Sequence, residues 1–230
     1  MEADLQRCLS FIQCQLQPAR KAALANGGER WRAVTISRQT GSGAHAVAEL
    51  LAERLQAGPP KQAAWTVFDR NLVERVLEDH RLPARLAKFM PEDRKSRLDD
   101  IMDELFGLHP PTETLVHKTS ETILRLADLG HVILIGRGAN VITAKLEYVF
   151  HVRLVGSLEK RVEQIQDVRK VTKKAALKFA RAEDRGRHRY LKKYFQQEIE
   201  DPLLYHLVIN TDLVSYSDSA RLIADALAGR

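Results

Sequence analysis

The sequence contains few cysteines, few aromatic residues and no long apolar run, and each scarcity excludes a class of protein. No apolar stretch approaches the roughly 20 residues that span a membrane, and residues 1–30 lack the basic-then-apolar order of a signal peptide. The two cysteines, Cys8 and Cys14, lie six residues apart on a predicted helix, a spacing that suits neither a metal site nor a local disulfide. We therefore expect reduced thiols, a cytoplasmic location and no membrane partner.

Positive charge is in excess and is concentrated in one segment. The formal net charge of the 230 residues is +6, and residues 160–193 contain 13 Lys/Arg against four Asp/Glu. Such a patch suits either nucleic acid or a small polyanion such as a nucleotide. Aromatic residues are sparse in this segment and it contains no recognised nucleic-acid-reading motif, so nucleic acid is the less favoured partner.

Residues 33–55 have the order strand, glycine turn, helix. Residues 33–36 form an apolar strand, Thr40–Gly43 form the turn (the glycine turn below), and apolar residues then recur at helical spacing. Backbone N–H groups at such a turn can bind an anion. The strict phosphate-loop motif G-x-x-x-x-G-K-[ST] is not met, because its lysine position is Ala44 and its hydroxyl position is Ala46. A plain turn and a phosphate-binding turn both remain open on this pattern alone.

Further strands are predicted at residues 65–68, 132–135, 148–155 and 206–210, with helical patterns between them. This alternation, with nearly continuous apolar strands, favours a doubly wound parallel α/β sheet. Residues 83–129 contain no convincing strand; they form either a helical cap over the strand ends or a helical part of the scaffold. Three residues have the character of helix N-caps: Ser157, Thr172 and Ser215.

Charged residues follow two of the predicted strands. Asp69 ends the second strand, where it either caps the next helix or faces a ligand at the carboxyl edge of the sheet. Arg137 stands between Gly136 and Gly138 after the apolar strand 132–135. An arginine between glycines is poorly placed for packing and well placed for a phosphate, so we favour a ligand contact over a solvated turn charge.

Two helical segments flank this core in the sequence. Residues 3–25 have an amphipathic pattern, which indicates an arm packed on its own domain or a homo-oligomer contact. In the basic segment, Asp184 and Arg187 have the spacing of an intrahelical ion pair. Gly186 lowers helix propensity there and favours a mobile arm that closes on a ligand.

Five phrases, taken together and in order, resemble the cytidylate kinase-like family over about residues 32–228. They are ISRQTGSG (36–43), FDRNLV (68–73), ILIGRGAN (133–140), the D-x-x-R-x-x-Y of residues 184–190, and YHLVINTD (205–212). The resemblance implies a P-loop kinase-like fold with a doubly wound, five-stranded parallel sheet. It also implies a helical monophosphate-binding insertion at 83–129 and a basic helical lid at 160–195. On this basis residues 1–28 are an N-terminal arm and residues 29–230 are the kinase-like domain.

The same resemblance implies ATP-dependent phosphoryl transfer, with Mg²⁺, to a nucleoside monophosphate, with CMP as the leading acceptor. Nucleotides are then the expected small-molecule partners. Catalytic roles are implied for Arg38, Asp69, Arg137 and Arg187, and Mg²⁺ would bind through Ser42 or Asp69. Nucleotide or phosphate binding is implied for a wider set: Ser37, Arg38, Gly41, Ser42, Gly43, Arg137, Arg161, Asp184, Arg187 and Asn210.

Three positions depart from the pattern of true cytidylate kinases. Ala44 replaces the phosphate-loop lysine, Ala46 replaces the hydroxyl residue, and Gly138 replaces the acid that follows the arginine matched by Arg137. Because phosphoryl transfer depends on charge neutralisation, another cation has to replace the lysine, and Arg38 is the candidate. The alternative is a nucleotide-binding regulatory protein that has kept the fold and lost the chemistry.

Overall fold

The computed structural model describes residues 31–57, 64–69, 100–102, 105, 115–136 and 138–229. The strands are β1 (Ala33–Arg38), β2 (Thr66–Phe68), β3 (Val132–Ile135), β4 (Val149–Val155) and β5 (Leu207–Asn210). The helices are α1 (Ala44–Gln56), α2 (Leu115–Leu129), α3 (Ala139–Ile142), α4 (Leu158–Arg169), α5 (Lys173–Phe195) and α6 (Tyr216–Leu227), with a 3₁₀ turn at Pro202–Leu204. Among the described residues, no helix is long and apolar enough to cross a bilayer.

The described strands form one five-stranded sheet in the order β2-β3-β1-β4-β5, and every neighbouring pair is parallel. β1 is central, with β3 on one side from Ala33 to Ile36 and β4 on the other from Ala33 to Arg38. The predicted doubly wound parallel α/β fold is therefore confirmed. Because the strands are parallel, the residues that follow β1, β2 and β3 all lie at one edge of the sheet, where open α/β sheets bind ligands.

β1, β3 and β4 are buried on both faces, which explains their nearly continuous apolar sequences. On one face, α1 and α6 form a core with Val34, Ile36 and Val152. On the other face, α2, α3 and the last turns of α5 pack around Leu134 and Phe68. The sheet thus holds the carboxyl ends of β1 and β3 rigidly between two helical layers.

Local signals in the sequence placed several helix ends correctly. Ser157, Thr172 and Ser215 accept hydrogen bonds from the backbone N–H of Lys160, Ala175 and Asp218, respectively. Each hydroxyl satisfies a backbone donor that the first helical turn leaves without a partner. The three N-cap predictions are confirmed.

The predictions for several other parts of the chain have different outcomes. Within 83–129, α2 lies in the core, where Leu124 and Leu126 are fully buried, and most of the remainder lies outside the described residues. The predicted N-terminal helix and Arg137 also lie outside them. α5 continues through Gly186 without a break, and the mobility of this arm stays a prediction. Helical hydrogen bonding of the flanking turns outweighs the low propensity of a single glycine.

Because His151 in β4 is buried, we expect the folded state to lose stability in acid. Its ring is buried, its Nδ1 lies 2.8 Å from the Thr35 hydroxyl, and burial, followed by the nearby His206, lowers its pKa from 6.5 to about 3. Between these two pH values the unfolded state binds a proton that the folded state does not. The free energy of unfolding therefore decreases as the pH is lowered, by at most about 1.4 kcal/mol per pH unit. Urea unfolding at pH 7 and pH 4.5 should therefore differ less in His151→Gln than in wild type. Equal pH dependence in both proteins would contradict this assignment.

Candidate functional site

A cavity of about 230 Å³ lies at the carboxyl ends of β1 and β3, against helix α5. Its wall is formed by the end of β1, the turn after β3, the start of α3, one face of α5 and Ile199. The lining residues are Ser37, Arg38, Gly136, Gly138, Asn140, Glu183, Gly186, Arg187, Tyr190, Leu191 and Ile199. The carboxyl edge of the sheet and α5 thus line a pocket of mixed polar and apolar character, which includes two arginines from the predicted site.

Arg38 is positioned by close contact with the glycine after β3. A Cβ built on Gly136 would lie 1.8 Å from Arg38 Nη1, and the φ of Gly136 is +83°. The guanidinium therefore packs on backbone that only glycine leaves open. This contact brings the end of β1 to the turn that contains Arg137, whose own position lies outside the described residues.

The glycine turn binds an anionic group, and that group is a carboxylate of α5. Asp184 Oδ1 accepts hydrogen bonds from the backbone N–H of Thr40 at 2.8 Å and from the Thr40 hydroxyl at 2.7 Å. Arg187 Nη1 donates to the same carboxylate oxygen at 3.0 Å and to Thr40 Oγ1 at 2.6 Å. The predicted pair of Asp184 and Arg187 is present, and it fastens α5 to the turn.

Arg161 braces the same turn from α4. Its side chain is buried, and it donates to the carbonyl of Gly156 at 2.9 Å, to the carbonyl of Thr40 at 3.0 Å and to Asp184 Oδ2 at 2.8 Å. Asp184 therefore lies between two guanidinium groups. These contacts give Arg161 a structural role in holding the turn, and its contact with a ligand stays a prediction.

The opposite side of the turn is covered by α6. A Cβ on Gly43 would lie 2.3 Å from the ring of Tyr216, so the ring packs directly on this glycine. Partial burial, followed by the carboxylate of Asp212, raises the pKa of Tyr216. Asn210, the predicted neighbour of adenine, is exposed at the end of β5 and accepts a hydrogen bond from the backbone N–H of Asp212 at 2.9 Å.

The two predicted magnesium contacts differ in accessibility. Ser42 is 1% exposed, and its hydroxyl donates to the carbonyl of Gln39 at 2.8 Å. Asp69 directly follows β2, with its Oδ2 3.7 Å from Nε2 of His45 in the first turn of α1. Within the described ranges, no cluster of three or more His, Cys, Asp or Glu side chains could hold a metal ion. Asp69 is therefore the better placed of the two candidates.

Sequence reasoning missed a buried arginine behind the cavity. Arg153 in β4 is 3% exposed; its Nη1 donates to Ser37 Oγ at 3.0 Å and its Nη2 pairs with Glu200 at 2.9 Å. Ser37, predicted as a phosphate contact, thus has a partner inside the protein, and its Oγ also lies 3.3 Å from the hydroxyl of Tyr205, which donates to the carbonyl of Ile199 at 2.8 Å. An arginine inside an apolar strand was the available signal, since a buried charge needs built-in partners.

Asn140 is the second residue that sequence reasoning missed. It lies in the phrase ILIGRGAN and was given no role, yet it lines the cavity and is 5% exposed. No acceptor among the described residues lies within hydrogen-bonding distance of its Nδ2. The sequence signal was its position three residues after Arg137, at the start of a helix that follows a central strand.

Comparison with known proteins identifies a family for this chain and a solved structure with a similar fold. Residues 33–213 match the model of the cytidylate kinase-like family. An uncharacterised protein from Eubacterium ventriosum ATCC 27560 is similar in structure, with a TM-score of 0.66 at 20% identity, over 86% of this chain and 99% of that one. No curated protein matches the chain.

Two further solved structures show weaker likeness. Shikimate kinase from Bacteroides thetaiotaomicron has a TM-score of 0.44 at 12% identity, over 86% of this chain and 98% of its own. TT1252 from Thermus thermophilus has a TM-score of 0.38 at 16% identity, over 87% and 98% of the two chains. The family model alone covers well over half of this chain, in the region that contains β1, the glycine turn and the lid. This chain belongs to the cytidylate kinase-like family.

Proposed function

We propose that the protein transfers the γ-phosphoryl group of ATP to a nucleoside monophosphate, with CMP as the first acceptor to test. The observation that carries this proposal is the cavity with Arg38 on the sheet side and Arg187 on the lid side. Two guanidinium groups that line one cavity from different elements can stabilise charge that spreads over a phosphoryl group between them. Membership of a kinase-like family supports the same reaction.

The acceptor needs no strong general base, because its attacking group is already a phosphate oxygen. The chain then has to exclude water, align the two ligands and neutralise charge. The lid supplies Arg187 for this purpose, and the end of β1 supplies Arg38. The predicted contribution of Arg137 follows from its place between two glycines of the same turn.

Magnesium would be held by ATP phosphate oxygens together with few protein groups. The carboxylate of Asp69 is an oxygen ligand of the kind that Mg²⁺ prefers. It lies at the first turn of α1, since its neighbour is His45. Bound Mg²⁺ would neutralise charge on the transferred phosphoryl group.

A second candidate function is nucleotide sensing without phosphoryl transfer. Ala44 supplies no cation, and Asp184 already occupies the Thr40 amide that a ligand phosphate could otherwise use. A turn closed by its own lid suits a protein that changes shape when nucleotide displaces that carboxylate. This observation favours a regulatory role over a plain loss of function.

One experiment separates the two candidates. ADP production from ATP and Mg²⁺ is followed with CMP, dCMP, UMP, AMP and GMP, and binding of each ligand is measured by calorimetry. We expect acceptor-dependent ADP production with at least one pyrimidine monophosphate. Nucleotide binding without ADP would establish the sensor, and absence of both binding and turnover would overturn both functions.

Arg187→Ala should weaken binding of the acceptor monophosphate about 10- to 100-fold, as expected for the loss of one charge-assisted hydrogen bond. Arg187 lines the cavity and contacts the glycine turn, whereas Arg185, two residues away on the same helix, is exposed. The matched variant Arg185→Ala should bind like wild type. Equal weakening in both variants would mean that the lid acts only through its overall charge.

A further inference from the structure

Asn140 is a buried amide on the cavity wall whose nitrogen has no protein acceptor within reach among the described residues. Buried polar groups in folded proteins are nearly always hydrogen-bonded, and an exception calls for an explanation. A donor left unsatisfied lowers the stability of the ligand-free protein. Such a group is accounted for when a ligand supplies the missing partner.

The cavity wall combines charged and apolar side chains. Arg187 lies at the end near the glycine turn, because it donates to Thr40. Leu191 lies one helical turn further along α5, roughly 6 Å away, and it contacts the glycine that begins α3: a Cβ on Gly138 would be 3.6 Å from its Cδ1. Asn140 follows Gly138 by two residues. The amide is therefore on the part of the wall next to Leu191, after the turn where Arg38 is seated on Gly136.

We propose that Asn140 determines acceptor specificity by hydrogen bonding to an uncharged polar group of the acceptor, in its base or its sugar. This rests on the proposed function, because it assumes that the acceptor binds in this cavity with its phosphate at the arginines. A neutral amide can donate to a carbonyl or ring nitrogen and accept from an amino or hydroxyl group, as base edges and ribose require. A neutral amide binds a phosphate much more weakly than a guanidinium does, because it has no charge.

The test uses Asn140→Leu, which keeps nearly the same shape and removes both hydrogen-bonding functions. Binding of the tightest monophosphate of the panel, of its nucleoside and of inorganic phosphate is measured in the wild type and the variant, together with the melting temperature. We expect at least tenfold weaker binding of the monophosphate and nucleoside, unchanged phosphate binding, and a melting temperature that does not fall. Asn140→Ala serves as the second variant if leucine does not fit.

The outcomes separate this inference from the function on which it rests. If the wild-type protein binds no monophosphate, both the proposed function and the specificity role of Asn140 are overturned. If wild type binds one and both folded variants bind it equally well, only the role of Asn140 is overturned. A fall in melting temperature with equal weakening of phosphate and monophosphate would show a structural residue and would also overturn the proposal.

Discussion

Replacing Arg38 with alanine should lower phosphoryl transfer by at least about a hundredfold, the usual effect of removing one preorganised donor to a developing charge. Arg38 ends the central strand, lines the cavity and is seated on Gly136. The position of the usual phosphate-loop lysine is Ala44, which has no charge. Arg38 is the cation of the cavity wall that lies nearest to the glycine turn in sequence. The rate is measured as acceptor-dependent ADP production at saturating ATP.

Three further variants test whether the loss of turnover is due to the Arg38 guanidinium itself. Arg38→Lys keeps the charge but loses the planar fork, so we expect an intermediate rate. Gly136→Ala displaces the guanidinium without removing it, because the added Cβ would meet Nη1. Arg185→Ala removes an exposed arginine from the same protein and should leave turnover unchanged. Wild-type turnover in Arg38→Ala would show that Arg38 does not replace the lysine.

The strands and helix starts could be predicted from sequence because their signals are local. β3 was predicted with the bounds that the structure has, since Val132–Ile135 is apolar on both faces of the sheet. The caps Ser157 and Ser215 depend on residues three positions away. Doubly wound topology followed from the alternation of such segments.

The interior of the site could not be predicted, because it depends on contacts between residues far apart in sequence. Thr40 and Asp184 are 144 positions apart, and the pattern around Asp184 indicated only its pairing with Arg187. The same holds for Ser37 and Arg153, which are 116 positions apart. The sequence named candidate residues by their chemistry, while the fold decided which of them contact each other and which have protein partners.

The carboxylate of Asp184 accounts for two properties of the site together. It neutralises Arg161 and Arg187 when no phosphate is present, and it fastens the lid to the glycine turn. A ligand phosphate that replaced this carboxylate could bind both guanidinium groups, because both already contact the Asp184 carboxylate. Under the proposed function, nucleotide binding would therefore displace α5 from the glycine turn, because the same donors cannot serve both anions fully.

Gly41→Ala should be strongly destabilising, by about 2–4 kcal/mol, because two independent constraints act at this position. Its φ is +88°, and an added Cβ would lie 2.4 Å from the carbonyl oxygen of Arg161. That oxygen belongs to the backbone of α4 and cannot rotate away, so either the glycine turn or the helix must shift. Urea unfolding at pH 7 measures the loss.

Gly186→Ala is the matched control for Gly41→Ala, because it adds the same methyl group where nothing lies within 4 Å. Gly186 is in the interior of α5, so alanine should stabilise the protein by about 1 kcal/mol. The two substitutions therefore have opposite expected signs for one chemical change. A Gly41→Ala protein as stable as wild type would mean that the turn is not held against α4, and the anion site formed by Thr40, Arg161 and Arg187 would lose its geometric basis.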